Sequence, residues 1–243
     1  MTAPRTSGAI TFTGRPGGLT TIVPADLVTD KVVPISVSVA GKPTIYRASV
    51  RAFGSNQSEI RLRLADDTPP GTYQGEGTLG GKPRPVVIEV DAVVKVRVTP
   101  AETVVAATPA ARIDFTISVL NAGNVPLDIP KLDTFDLDDE EGQDGALGRS
   151  LRGSETDGKR GVDRYFDELR NSHGGEARVL LKDGAGRLAP GEFRSLTCTL
   201  EVPDIAQEGR TYVGAWPIGD SQHVIVCDIA ATVRRPKTGR KKP

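Results

Sequence analysis

Apolar side chains in this chain recur at every second position rather than every third or fourth, and that period decides what it can fold into. Ala9-Ile10-Thr11-Phe12-Thr13 alternates. So does Val33 to Val39, with Val33, Ile35, Val37 and Val39 on one face and Ser36 and Ser38 on the other. Glu59 to Leu64 sets charged residues outward against apolar ones inward, and Val93 to Val98, Ile113 to Val119 and Leu196 to Val202 repeat the pattern. A period of two matches a pleated strand with one face buried. Gly/Pro/Asn/Asp clusters separate the runs: Gly14-Arg15-Pro16-Gly17-Gly18, Gly41-Lys42-Pro43, Gly54-Ser55-Asn56 and Asp66 to Gly71. The 27 Gly and 18 Pro therefore serve as turn punctuation. Many short strands with such punctuation predict antiparallel sandwiches or barrels.

An internal repeat predicts two copies. Thr72-Tyr73-Gln74-Gly75, then Gly80, reads like Thr211-Tyr212-Val213-Gly214, then Gly219, at a constant offset of 139 positions. The same offset aligns Val86 to Val90 with Ile225 to Ile229. Each copy follows an alternating strand that ends near an acidic loop. A repeat of this kind marks a duplicated structural unit. A Tyr at the start of the penultimate strand of an immunoglobulin-like sandwich can bury its ring and hydrogen-bond the loop just left. The Gly two residues later suits a bulge or a close approach by a neighbouring backbone.

Ser118-Val119-Leu120-Asn121-Ala122-Gly123-Asn124 resembles the strand-then-turn of bacterial immunoglobulin-like, adhesion-related (CARDB-type) domains. Leu188-Ala189-Pro190-Gly191-Glu192 before an alternating strand follows the same pattern. The resemblance covers roughly residues 93–235 and more weakly 8–92. It implies a seven-stranded sandwich and carries no catalytic residue with it. The expected organisation is all-β, two tandem antiparallel Ig-like β-sandwiches: residues 1–92, then 93–236, with a basic tail at 237–243. The junction near Asp91-Ala92 leaves almost no linker, which predicts a fixed or narrowly hinged pair.

The second sandwich carries an insertion at about 133–187 where alternation is expected to fail. It opens acidic (Asp133, Asp136, Asp138, Asp139, Glu140, Glu141, Asp144), then turns Gly/Ser/Arg-rich to Gly161. Val162, Tyr165, Phe166 and Leu169 fall at i, i+3, i+4 and i+7, predicting one short amphipathic helix over 162–170 in an otherwise irregular segment. A returning strand is expected at Ala177–Lys182. An insertion this long suits a partner-binding arm, with Tyr165, Phe166 and Leu169 as anchors; a loose insertion, or one that packs over its own sandwich and covers a sheet edge, is the alternative.

Chemistry finds little purchase. Asp136, Asp138 and Asp139 are candidate calcium ligands in an acidic loop. However, an EF-hand counted from Asp136 puts Glu141 where Gly is required and Leu147 where Glu is required. His173 and His223 form no zinc spacing, and no Gly-x-Ser-x-Gly elbow or phosphate-binding glycine loop occurs. Gly75-Glu76-Gly77 reads as a turn or bulge. Cys198 and Cys227 lie in alternating segments; they suit buried free thiols, with a disulfide between them as the alternative. These absences favour a chain that is not an enzyme and needs no cofactor. Trp216 is a candidate contact residue, whether as a ligand platform or in packing.

Lys+Arg and Asp+Glu balance at 31 each, but the last ten residues hold six bases and no acid, so the remainder sums to −6. Arg240, Lys241 and Lys242 in that tail are candidates for an anionic contact. Met1–Gly8 is polar and lacks the apolar stretch of a secretory signal, and no apolar run is long enough to span a membrane. The expectation is a cytoplasmic protein, with association to a particle or cell surface left open. The function expected is a non-enzymatic structural or interaction subunit. It would bind a protein partner or self-assemble through sheet edges and the insertion. A carbohydrate- or calcium-binding module is the alternative.

Overall fold

A computed structural model describes residues 9–28, 31–39, 41–152 and 160–230. They fall into two compact units. The first takes in the described residues up to Val96, with Leu120–Leu127 and Leu188–Glu192. Its strands are β1 (Ile10–Gly14), β2 (Leu19–Pro24), β3 (Val32–Val39), β4 (Lys42–Ala52), β5 (Gln57–Leu62), β6 (Gly71–Leu79) and β7 (Lys82–Val90). They lie in the order β1-β2-β5-β4-β3-β6-β7, and β7 returns to β1 in parallel, from Ile10 opposite Val86 to Gly14 opposite Val90. The sets β1-β2-β5-β4 and β3-β6-β7 correspond to the two faces of an Ig-like sandwich. Pairing along both margins closes the sheet on itself. Phe12, Leu19, Ile35, Ile60, Leu62 and Ile88 fill the interior, each almost wholly buried. Such side chains contribute about 1.5–3 kcal/mol apiece.

From Val96 onward come β8 (Val96–Thr99), β9 (Glu102–Ala107), β10 (Arg112–Asn121), β11 (Leu127–Ile129), β12 (Leu132–Asp139), α1 (Gly142–Arg152), α2 (Gly161–Ser172), β13 (His173–Asp183), β14 (Gly186–Leu188), β15 (Phe193–Glu201), β16 (Thr211–Ile218) and β17 (Ser221–Ile229). The second unit's sheet runs β8-β10-β15-β13-β12-β16-β17-β9, while β11 and β14 form a two-stranded ladder. This is the strand order of the first unit with one change. Its opening strand is split, so that β8 borders β10 and β9 runs parallel to β17, from Glu102 opposite Val224 to Ala107 opposite Ile229. Pro100 sits in the gap and has no N–H to give a ladder.

The sequence repeat is a repeat of register. Thr72 pairs with Glu89, Tyr73 with Ile88 and Leu79 with Lys82; Thr211 pairs with Asp228, Tyr212 with Cys227 and Ile218 with Ser221. Every one of these pairs maps onto its counterpart at the 139-residue offset. Both tyrosines reach back to the loop they leave. The Tyr73 hydroxyl donates to the Pro69 carbonyl at 2.6 Å, and the Gln207 N–H donates to the Tyr212 hydroxyl at 3.1 Å. Gly75 and Gly214 are close-approach positions against the adjacent strand. A Cβ on Gly75 would lie 2.1 Å from the Ser36 carbonyl, and one on Gly214 would lie 2.7 Å from that of Asp136. Gly75-Glu76-Gly77 is thus mid-strand in β6 rather than a turn; the turn lies at Gly80-Gly81, both at positive φ.

Two strand expectations shift. The run expected at Val93–Val98 becomes regular only at Val96, because its earlier backbone groups are taken within the first unit. The Val93 N–H donates to Asn124 Oδ1 at 2.6 Å, and the Val93 and Lys95 carbonyls accept from the Asn124 and Ala122 N–H groups. The Asn124 amide also donates to the Thr68 and Asp91 carbonyls, which explains why a fully buried Asn is tolerated there. The larger correction concerns the insertion. Its acidic start is a strand, β12, with Phe135 and Leu137 buried and Asp136 and Asp138 outward. Its Gly/Ser/Arg-rich stretch contains a second helix, α1, and the returning strand begins at His173.

Candidate interaction surface

The connection between β12 and β13 runs through α1 and α2, and a network of charges fixes these helices to the sheet. Asp139, the last residue of β12, is buried and faces inward. It receives Arg149 of α1 at 2.7 Å and Arg210, just before β16, at 3.1 Å. The same two guanidiniums meet Glu168 of α2, both at 2.8 Å. Arg149 also holds Glu141 at 2.7 Å. Two cations thus tie both helices to the sheet. Burial alone would raise the Glu168 carboxyl's pKa, but the hydrogen bonds and charges of Arg149 and Arg210 outweigh it and hold the pKa below 4.5. Burial likewise opposes the charge on Arg149, and its three carboxylates more than restore it.

Local sequence supports the helices weakly at the ends and strongly at the inner face. α1 carries Asp144 in its first turn and Arg149 and Arg152 in its last, α2 Asp163 and Arg170, each favourable to the helix dipole. The Glu141 N–H donates to Asp139 Oδ1 at 3.0 Å at the approach to α1. Gly145 is required by the network, since a Cβ there would lie 2.9 Å from the Arg149 guanidinium and 2.6 Å from the Glu141 carboxylate. The Tyr212 hydroxyl donates to the Asn171 carbonyl at 3.3 Å, so the repeat tyrosine of the second unit also anchors the end of α2.

The outer faces differ. Leu147 (48% exposed) and Leu151 (74%) are four residues apart on α1, and Val162 (64%) and Phe166 (58%) are four apart on α2. Each pair shares a helix face. Of the anchors expected from sequence, Phe166 is exposed, while Tyr165 and Leu169 are half-buried. Tyr165 and Phe166 have ring centroids 6.1 Å apart. Sequence reading did not find Leu147 and Leu151, because the helix bearing them was not expected.

Of the two readings of Trp216, the structure places it in the core packing and not at a contact surface. It is 1% exposed, its Nε1 donates to Asp133 Oδ2 at 3.0 Å, and its ring meets Phe115 and His223 edge-on. Asp136, Asp138 and Asp139, the candidate calcium ligands, are not brought together. Strand geometry points the first two outward and turns the third inward to Arg149 and Arg210. Among the described residues no group of three or more His, Cys, Asp or Glu side chains converges as metal ligands do. A cleft of about 290 Å³ is lined by Asp139, Glu141, Arg149 and Arg210, which are paired with one another, and by Glu140 and Arg152.

His223 is fully buried, with its Nε2 2.9 Å from the Thr103 hydroxyl and its ring stacked on Phe115. Burial pushes its pKa below 6.5. Cys198 and Cys227 are buried free thiols, and burial pushes them up to about 12 and about 11. They are poor nucleophiles at neutral pH. Arg240, Lys241 and Lys242 lie outside the described residues.

No protein-family profile matches the sequence, and no curated protein matches it. Solved structures are similar at low identity. A protein of unknown function from Porphyromonas gingivalis W83 is 9% identical, covering 91% of this chain and 96% of its own, at a TM-score of 0.28. Titin A168–A169 is 12% identical, covering 93% and 97%, at a TM-score of 0.33. The two Ig domains of DIP-gamma are 12% identical, covering 92% and 96%, also at 0.33. Likenesses of this size carry no argument about function, and the Ig-like assignment rests on the strand order and register of this chain. No helix among the described residues is long and apolar enough to cross a membrane.

Proposed function

We propose that this chain is a non-enzymatic interaction module, an accessory or assembly subunit of a larger protein complex, and that the outer face of α1 and α2 is its principal contact. One observation supports the reading: four large apolar side chains stand exposed in i, i+4 pairs on helices whose inner faces are held by charge. Exposed apolar clusters on an ordered element favour protein partners. The sheet-edge part of the proposal narrows. Among the described residues the first sheet is closed, the eight-stranded sheet ends at β8 and β9, and the β11–β14 ladder is three residues long, so every open edge is short. The CARDB-type resemblance of the Asn121–Asn124 turn fits a bacterial setting, and the basic tail adds a salt-sensitive anionic contact.

A photo-crosslinking residue placed at Phe166 of the full chain, with the same residue at exposed Thr72 as control, tests this. Protein adducts at position 166 and none at 72 are expected. Equal adducts at both positions, or none at 166, would refute the reading.

A further inference from the structure

Resting on that reading, we propose that the protein seated on the α1–α2 face is a second copy of this chain, in a two-fold dimer centred on Phe166. The first argument is geometric. Each helix of the pair is tied by charge to the sheet and carries an apolar pair outward: Leu147 with Leu151, and Val162 with Phe166. Two copies placed face to face across α2 bury Val162 and Phe166 of both against each other. Isologous pairing is the commonest way for identical chains to associate.

The second argument is charge. On the exposed face of α2, Asp163 lies three residues before Phe166 and Arg170 lies four after, with side chains 61% and 81% exposed. An antiparallel crossing at Phe166 sets Asp163 of one copy beside Arg170 of the other, and the two-fold axis makes the contact twice. A parallel crossing sets like charges together. The face is therefore complementary to itself in one orientation. Each charge also has an i, i+3 neighbour, Arg160 at 3.8 Å and Asp167 at 3.7 Å. Both distances are long for an ion pair, so a closer partner in trans competes readily.

The test is the mass of the full chain by light scattering and sedimentation across micromolar concentrations. Trp216 fluorescence serves as the check that each variant keeps its fold. A reversible dimer is expected. Phe166→Glu yields monomer. Asp163→Arg and Arg170→Asp each weaken dimerisation about tenfold, because the two-fold doubles each loss. The double variant Asp163→Arg/Arg170→Asp restores it, which a fold defect would not do. Monomer at all concentrations, or a dimer indifferent to Phe166→Glu and to the charge swap, overturns the proposal. A monomer whose position-166 crosslinker captures a different protein refutes the dimer and leaves the interaction reading standing. A monomer that captures nothing refutes both.

Discussion

The two sandwiches share one strand order and one hairpin register; beyond the split opening strand and the β11–β14 ladder, the second stands apart by one long connection. In the first unit the third strand ends at Val39 and the fourth begins at Lys42. In the second, the corresponding strands β12 and β13 are separated by residues 140–172, which hold both helices. The frame tolerates this because the connection emerges at a margin of the sandwich, where added chain displaces no core. The second unit has also acquired groups that the first lacks: an inward Asp139, the Arg149 and Arg210 pair, and a tyrosine with a second hydrogen-bond partner. The shared frame supplies the two cores, and the long connection adds Leu147, Leu151, Val162 and Phe166 to the exposed apolar side chains.

The deepest test of the shared frame is its paired glycines. Gly75→Val and Gly214→Val each drive side-chain atoms into a neighbouring strand's backbone, and each should cost upwards of about 4 kcal/mol. Trp216, the only tryptophan, reads the second unit by fluorescence, and hydrogen exchange of β6 and β7 reads the first. The Gly75 variant should lose protection in β6 and β7, and the Gly214 variant the native Trp216 signal. A variant that melts like the parent would break the equivalence.

Next in size is the charge network. Arg210→Ala leaves nearly inaccessible Asp139 and mostly buried Glu168 each short of a partner, at a cost of about 3 kcal/mol. The loss should appear in α1, α2 and β12 by hydrogen exchange and leave β1–β7 unchanged. Acid should act on the same place. The Glu168 pKa is lowered in the folded state, so its contribution is complete above pH 4.5 and fades as pH falls through the depressed value. Loss of α2 protection at neutral pH but not in acid would contradict this assignment.

Strands were largely legible in the sequence because alternation states which face is buried, and the Tyr-x-Gly repeat fixed the closing hairpins. The insertion was legible only in part. Leu132 to Asp139 alternates, but its outward acids at Asp136 and Asp138 resemble a solvated loop when read by composition. α1 was hidden by Gly145 and Gly148, each costing a helix interior about 1 kcal/mol relative to Ala. Tertiary contacts overrule that penalty: Gly145 makes room for Arg149, whose partners lie 8 to 19 residues away in sequence. No local pattern encodes such a network. The exposed half of the candidate surface followed the same division, with Phe166 found by helical period and Leu147 missed along with its helix.

Alkali should separate the units. Both cysteines lie in the second, and their pKa values are raised from 9.0 to about 12 and about 11 by burial. A raised folded-state pKa means stability that is complete below the unfolded value and lost as pH rises through the folded one. The second unit should therefore weaken from about pH 9 upward. In the first, Tyr73 is raised by burial and by Tyr46 above 10.0, so its loss begins later. Trp216 fluorescence should consequently change at lower pH than hydrogen-exchange protection in β6. Cys198→Ser would not serve as a control, since an unpaired hydroxyl there adds its own penalty; Cys198→Ala with Cys227→Ala removes both thiols and should shift the Trp216 transition upward in pH.

The smallest expected difference is also the one that isolates what the insertion added. Tyr73 makes one hydrogen bond, to Pro69, from a half-buried ring, and Tyr73→Phe should cost about 1 kcal/mol. Tyr212 is wholly buried, accepts from Gln207 and donates to Asn171 at the end of α2. Tyr212→Phe leaves the Gln207 N–H unpartnered beside an apolar ring and frees the α2 terminus, for about 2 kcal/mol. The decisive comparison is Tyr212→Phe in the whole chain against Tyr73→Phe, each followed by urea unfolding and by exchange of the α2 amides. Fraying of α2 with Tyr212→Phe alone would show that a residue inherited from the common frame was recruited to hold the new element. Equal costs with no change in α2 would mean that the Arg149–Glu168–Arg210 network holds the helix unaided.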